Sequence, residues 1–208
     1  YPVCTPQESD EFNGVEIGKQ WQWQGNYNPR WIYCDGRDGY IRLYSFPECK
    51  DYKSLWDVPN LLLQKMPADE FTVTMKMKFQ PNPKIKGERA GLVIMGMDYA
   101  ALSVTDTPDG QILSQTECIG ANKGKTEKVN AECRLKQNEL YLRSVVTRGN
   151  KATFYYSYDN KKFVKLGNDF SIKEGLWIGA KIGMFCTRAN STINDSGWMQ
   201  VDWFRVTK

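Results

Sequence analysis

The stretch Phe71-Thr-Val-Thr-Met-Lys-Met-Lys-Phe79 alternates without a break. Phe71, Val73, Met75, Met77 and Phe79 fall on one side, Thr72, Thr74, Lys76 and Lys78 on the other. A repeat of two is the period of an extended chain, so the segment predicts a strand with one face on a core and one in water. Leu140 to Thr147 and Ala152 to Tyr158 alternate in the same way, and Arg148-Gly-Asn-Lys151 between them predicts a hairpin turn. Asp159-Asn-Lys-Lys162 then turns the chain into Phe163-Val-Lys-Leu166. The apolar run Ala90 to Met97 is short enough to be a strand buried on both faces. Tyr99 to Val104 and Gln111 to Gln115 flank the turn Thr107-Pro-Asp-Gly110, and Tyr40 to Tyr44, Lys181 to Cys186 and Met199 to Val206 add further short strands. No segment sustains a helical period with caps at both ends. Strands at this spacing predict an all-β sandwich or barrel. Lys50 to Asn60 lacks alternation and reads as an irregular surface loop; Glu117 to Asn138 reads as an excursion beyond the sandwich.

A chain of 208 residues suits one large domain, residues 1–208. Seven Trp and eleven Tyr favour either a β core or a sugar-facing surface, since both use large flat side chains. The net charge of +4 is scattered. Its densest stretches, Lys84-Ile-Lys86 and Lys123-Gly-Lys125, are too short for a nucleic-acid footprint and read as solvated loops. No apolar run approaches the ~18 residues of a membrane span. Tyr1-Pro-Val-Cys-Thr-Pro6 has neither the basic start nor the apolar core of a leader, so a secreted parent would carry its leader elsewhere.

The chain has no histidine. That removes the Ser-His-Asp triad, the Cys-His pair and any His-ligated metal at one stroke. Cys4, Cys34, Cys49, Cys118, Cys133 and Cys186 include no CxxC pair, which argues against zinc. Disulfides and buried thiols both remain open, because six cysteines permit ~15 pairings.

Pro6-Gln-Glu-Ser-Asp-Glu-Phe-Asn-Gly14 followed by Gln20-Trp-Gln-Trp23 resembles a known module. It is similar to the concanavalin A-like domain that follows the five-bladed propeller in many family-43 glycoside hydrolases, the β-xylosidases and α-L-arabinofuranosidases. Gly39 to Leu43, Asn60 to Gln64, Glu88 to Leu92 and Val201 to Val206 extend the likeness over nearly the whole chain. The resemblance implies an all-β, two-sheet antiparallel jelly-roll sandwich, cut from a longer bacterial enzyme of the periplasm or extracellular space. The implied role is accessory: packing on the catalytic propeller of an enzyme of plant hemicellulose, such as xylan or arabinoxylan, and supporting its active site. The family's catalytic Asp and Glu residues belong to the propeller and have no counterparts here. A loop of the module reaches toward the propeller in some members; the matching stretch here, Gly179 to Met184, has Lys181 where some relatives carry an aromatic.

Other chemistries leave weaker traces. Jelly-roll glucanases place a Glu-x-Asp-x-x-Glu pattern on one strand, with carboxylates ~5 Å apart, and no such pattern occurs here. Asp10 and Asp202 approach each other if the first and last strands pair, and two close carboxylates suit Ca²⁺; an exposed Asp at each strand end, or a salt bridge, is the alternative. Trp21, Trp23, Tyr27 and Trp31 form an aromatic-rich segment. It reads either as a platform for oligosaccharide, in an autonomous carbohydrate-binding module, or as core and domain-interface packing. Asn190-Ser-Thr192 and Asn194-Asp-Ser196 match the glycosylation pattern, which carries no meaning in a bacterial protein.

Overall fold

The computed structural model describes residues 3–189 and 193–208, so the pattern at Asn190 to Thr192 lies outside the described residues. Four short strands come first: β1 (Gln22–Trp23), β2 (Ile32–Tyr33), β3 (Ile41–Tyr44) and β4 (Phe46–Pro47). Next come β5 (Leu62–Lys65), β6 (Phe71–Gln80), β7 (Arg89–Met95), β8 (Tyr99–Thr107) and β9 (Gly110–Cys118). These are followed by β10 (Lys128–Arg134), β11 (Glu139–Thr147), β12 (Lys151–Ser157), β13 (Val164–Lys165) and β14 (Phe170–Ser171). The chain closes with β15 (Lys181–Arg188) and β16 (Trp198–Thr207).

These strands form two sheets. The first runs β1-β5-β15-β7-β8-β9-β10, with β4 beside β15; the second runs β13-β12-β11-β6-β16-β3-β2, with β14 beside β12. Pairing is antiparallel except for β4 on β15. The alternation at Phe71 to Phe79 becomes β6, whose apolar face meets Leu92, Leu142, Phe154 and Phe204 between the sheets. Thr74 departs from the two-sided pattern. It faces outward yet is buried, because the Arg143 guanidinium lies over it and donates to its Oγ1 at 2.8 Å. The expected hairpin forms between β11 and β12, with Thr147 opposite Lys151. The first and last segments meet where Asp10 and Phe204 exchange backbone bonds of 2.8 Å.

Two expectations need correction. Lys50 to Asn60 is not an irregular surface loop. Leu55 and Val58 are fully buried, and with Leu63, Val93, Met95, Tyr99 and Phe185 they form a second core on the outer face of the first sheet. A 3-10 turn at Leu55–Asp57 carries a capping box in which Ser54 and Asp57 bond reciprocally to each other's backbone. The segment escaped a period count because it packs through single side chains. Nor does Glu117 to Asn138 leave the sandwich: β10 pairs with β9, and the loop proper is confined to residues 119–127. β10 is an edge strand, and its Lys128, Glu132 and Arg134 bring charge that discourages further pairing.

The run from Ala90 to Met95 is buried on both faces as its composition predicts. Ala90, Leu92 and Ile94 enter the central core, Val93 and Met95 the second. Cys34, Cys49, Cys118, Cys133 and Cys186 are thiols rather than disulfides.

Candidate docking surface and the predicted site residues

The structure sends Asp10 and Asp202 to different tasks. Asp10 is buried, and its carboxylate accepts the backbone N–H of Phe12 at 2.9 Å, Gln20 Nε2 at 3.0 Å and Trp21 Nε1 at 2.9 Å. Asp202 lies in a bulge of β16, where the register shifts between Val201 and Trp203. Its carboxylate takes Lys76 Nζ at 2.6 Å and Gln200 Nε2 at 3.1 Å. A hard cation needs several converging oxygens. Here the donors are N–H groups and an ammonium, and the described residues contain no group of three or more His, Cys, Asp or Glu able to hold a metal. This arrangement does not fit Ca²⁺.

The four aromatics likewise divide. Trp21 is buried, stacked on Phe12 at 6.0 Å and edge-on to Phe204 at 5.0 Å, so it belongs to the core. Trp31 is buried against Phe46 at 5.8 Å. Trp23 is half-buried, 5.2 Å from Trp31, and its other neighbour Tyr27 stacks at 6.0 Å and is 60% exposed. Trp23 and Tyr27 line a cleft of about 430 Å³ together with Glu16, Ile17 and Ile32. Only this pair of the four is placed to meet a ligand.

Carboxylates also gather over the first sheet, where no sequence pattern pointed to them. Glu127 is held by Arg89 Nη1 at 2.6 Å and the Tyr99 hydroxyl at 2.5 Å. Burial pushes the nearby Glu48 carboxyl up to about 7, with Arg89 opposing and Glu127 adding to the rise. Loop 50–60 packs over this sheet face, so the group sits under a lid of side chains rather than along an open cleft.

One exposed apolar triplet among the described residues carried no expectation from sequence. In the loop before β15, Leu176 is 58%, Trp177 95% and Ile178 41% exposed. Trp177 adopts φ 71°, the left-handed region that bulky side chains avoid. The base of this loop is pinned. Met97 N–H donates to the Glu174 carbonyl at 2.9 Å, and Lys173 Nζ meets Asp98 Oδ2 at 2.6 Å. Asp98 Oδ1 in turn accepts the Gly120 N–H at 2.6 Å. Gly96 lies so close that an added Cβ would meet the Lys173 carbonyl at 1.9 Å. Ile119, 55% exposed, shares a cleft with Met97 and Lys173 at this end. The available signal was the apolar triplet itself, set between Gly175 and Gly179 without alternation.

Lys181 opens β15 directly behind this tip. Burial lowers its pKa, and its ammonium points toward Gln24 Oε1 at 3.5 Å. The N-terminal arm meets the neighbouring strand β5. The Glu8 carbonyl accepts Gln64 Nε2 at 2.9 Å, Gln64 pairs with Ile182 of β15, and Met66 N–H reaches the Ala180 carbonyl at 3.4 Å.

Fold and surface define a lectin-type, concanavalin A-like sandwich that presents a firmly mounted apolar tip. The chain belongs to the family described as the beta xylosidase C-terminal concanavalin A-like domain, which matches residues 9–207. A beta-xylosidase of Formosa agariphila is 30% identical over 225 residues, covering 98% of this chain and 36% of that protein. The chain therefore spans little more than a third of this relative. Among solved structures, the xylan beta-1,4-xylosidase of Bacillus halodurans C-125 superposes with a TM-score of 0.79 at 21% identity, covering 100% of this chain and 40% of that one. A GH43 protein of Bacillus licheniformis gives 0.77 at 21% identity, covering 95% and 38%. These two likenesses speak for the fold.

Proposed function

We propose that this chain is the accessory sandwich of a periplasmic or extracellular glycoside hydrolase acting on plant hemicellulose such as xylan or arabinoxylan. In this reading it packs on a catalytic five-bladed propeller encoded upstream and supports that domain's active site. The observation that carries it is the tip Leu176-Trp177-Ile178. Three consecutive apolar side chains, one in a costly backbone conformation, stand in water on a base pinned from three sides. Covering such rings contributes roughly 25 cal/mol per Å² of apolar area, which favours a permanent domain contact. The N-terminal arm meets β5 through Gln64, and β5 pairs with β15, so an upstream domain would arrive beside the strand that carries the tip.

The test is Trp177→Ser in the full-length enzyme. Docking predicts that the two domains lose their joint thermal transition and that xylosidase activity falls, while the sandwich keeps its own melting temperature. Full activity and an unchanged joint transition would overturn the reading. The exposed Tyr27 on Trp23 above the 430 Å³ cleft favours a second reading, an autonomous carbohydrate-binding module. Protection of Trp fluorescence from quencher by xylo-oligosaccharide, lost in Tyr27→Ala, would support that one.

A further inference from the structure

The end of the first sheet that carries Leu176-Trp177-Ile178 also gathers cations. Lys65 closes β5 and Lys181 opens β15, and the register sets the two directly opposite each other. Like charges so placed repel. Lys181 is half-buried, and its ammonium donates to the Gln24 side-chain carbonyl at 3.5 Å rather than to a carboxylate. Toward β9, exposed Lys123 and Lys125 line the cleft that holds Met97, Ile119 and Lys173. Toward the N-terminal arm, exposed Lys19 and Lys65 line another cleft, of about 550 Å³, with Pro6, Gln22 and Pro67.

Lys19, Lys65, Lys123, Lys125 and Lys181 have no ion pair among the described residues. Acids of the same segments are already engaged: Asp98 holds Lys173 at 2.6 Å, and Glu8 holds Lys208 at 2.6 Å. Glu174 and Asp69 stay unpaired, two carboxylates against five ammonium groups. An apolar tip standing alone would fit any apolar socket. A tip set in a band of uncompensated cations is more selective. A neutral or basic partner would desolvate these lysines with nothing in return, whereas facing carboxylates offset that cost and repel the wrong docking angle.

We propose that the surface covering this end has an acidic rim around an apolar socket, and that it belongs to the upstream domain of the same parent chain. The proposal rests on the docking reading and adds to it the chemistry of the partner. Most of the length of the xylosidase relatives lies outside the part matched here, and the N-terminal arm enters beside Lys19 and Lys65. Trp177 and its neighbours fill the socket; the lysines on either side meet the rim.

The experiment is calorimetry of the full-length enzyme, comparing the parent, Trp177→Ser, the neutralised variant K65Q/K123Q/K125Q/K181Q, and a control, K84Q/K136Q/K161Q/K162Q, that removes equal charge at the opposite end of the sandwich. The neutralised variant should split the joint transition in two, and the control should keep it single. Raising NaCl from 20 to 500 mM should loosen the parent in the same way, because salt screens the rim, and should add little to the neutralised variant. A single transition in the neutralised variant, with Trp177→Ser split, leaves docking standing and overturns the acidic rim. An intact transition in Trp177→Ser overturns the docking reading and this inference with it. Sedimentation of the parent with phosphatidylglycerol vesicles, lost in both Trp177→Ser and the neutralised variant, would assign the surface to a membrane and overturn the proposal.

Discussion

The carboxylate of Asp10 accepts the indole N–H of Trp21 at 2.9 Å, while the backbone of Asp10 pairs with Phe204. One residue thus joins the N-terminal arm to both the central core and the final strand. Asp10→Ala would strand the Trp21 and Phe12 donors in a buried setting, at about 1–3 kcal/mol for each donor left without a partner. Urea unfolding should show a loss of about 2–6 kcal/mol by that arithmetic. Asp10→Asn, which keeps an acceptor, should lose less. A change below about 0.5 kcal/mol would mean that the arm unfolds apart from the sandwich.

The N–H groups around Asp10 predict that calcium has no seat there. Chelation of metal-stripped protein should leave the melting temperature unchanged, and Asp202→Asn should cost under about 1 kcal/mol, the scale of a part-exposed ion pair. A rise on adding Ca²⁺ that Asp202→Asn abolishes would restore the cation, since a ligand selective for the native state stabilises it by mass action.

Leu55 tests the second core. It is fully buried beneath the outer face of the first sheet, in a segment with little regular structure. Leu55→Ala should cost about 2–5 kcal/mol, as for a buried leucine in any core. A surface loop would lose less than about 0.5 kcal/mol. Equilibrium denaturation separates the two.

Glu48 predicts a pH dependence with a definite sign. Burial raises its carboxyl from 4.5 to about 7 in the folded protein. Between those values the unfolded chain has released the proton and the folded one has not, so stability falls as pH rises across that window and levels above 7. Glu48→Gln removes the fall. Relative to the parent, the variant should have the higher denaturation midpoint at pH 8 and a similar one at pH 4. A parallel pH profile for the two proteins would rule out Glu48 as the titrating group.

Legibility in the sequence followed periodicity. β6, β11 and β12 were readable because each buries one face, and alternation records that directly. The terminal pairing was readable only as a consequence of the fold, and it proved to be a single bridge. Leu55 and Val58 were not readable. They reach the second core from a 3-10 turn and its flank, where no repeat accumulates. Trp21 and Trp31 look like Trp23 and Tyr27 in sequence, yet burial separates them, because composition does not say which way a ring faces. Trp177 was hidden for the opposite reason: a short apolar triplet between glycines does not say whether it is buried or exposed.

The double covering of the first sheet has a mechanical consequence. β7, β8 and β15 are gripped by side chains above and below, so they form a stiff wall. The loop bearing Trp177 springs from β15 and is anchored at the β7–β8 turn. A ring mounted this way behaves as a fixed peg rather than a swinging arm. Whatever it engages must bring a socket already shaped to receive it, and the alignment of the two bodies is then set by the wall behind the peg.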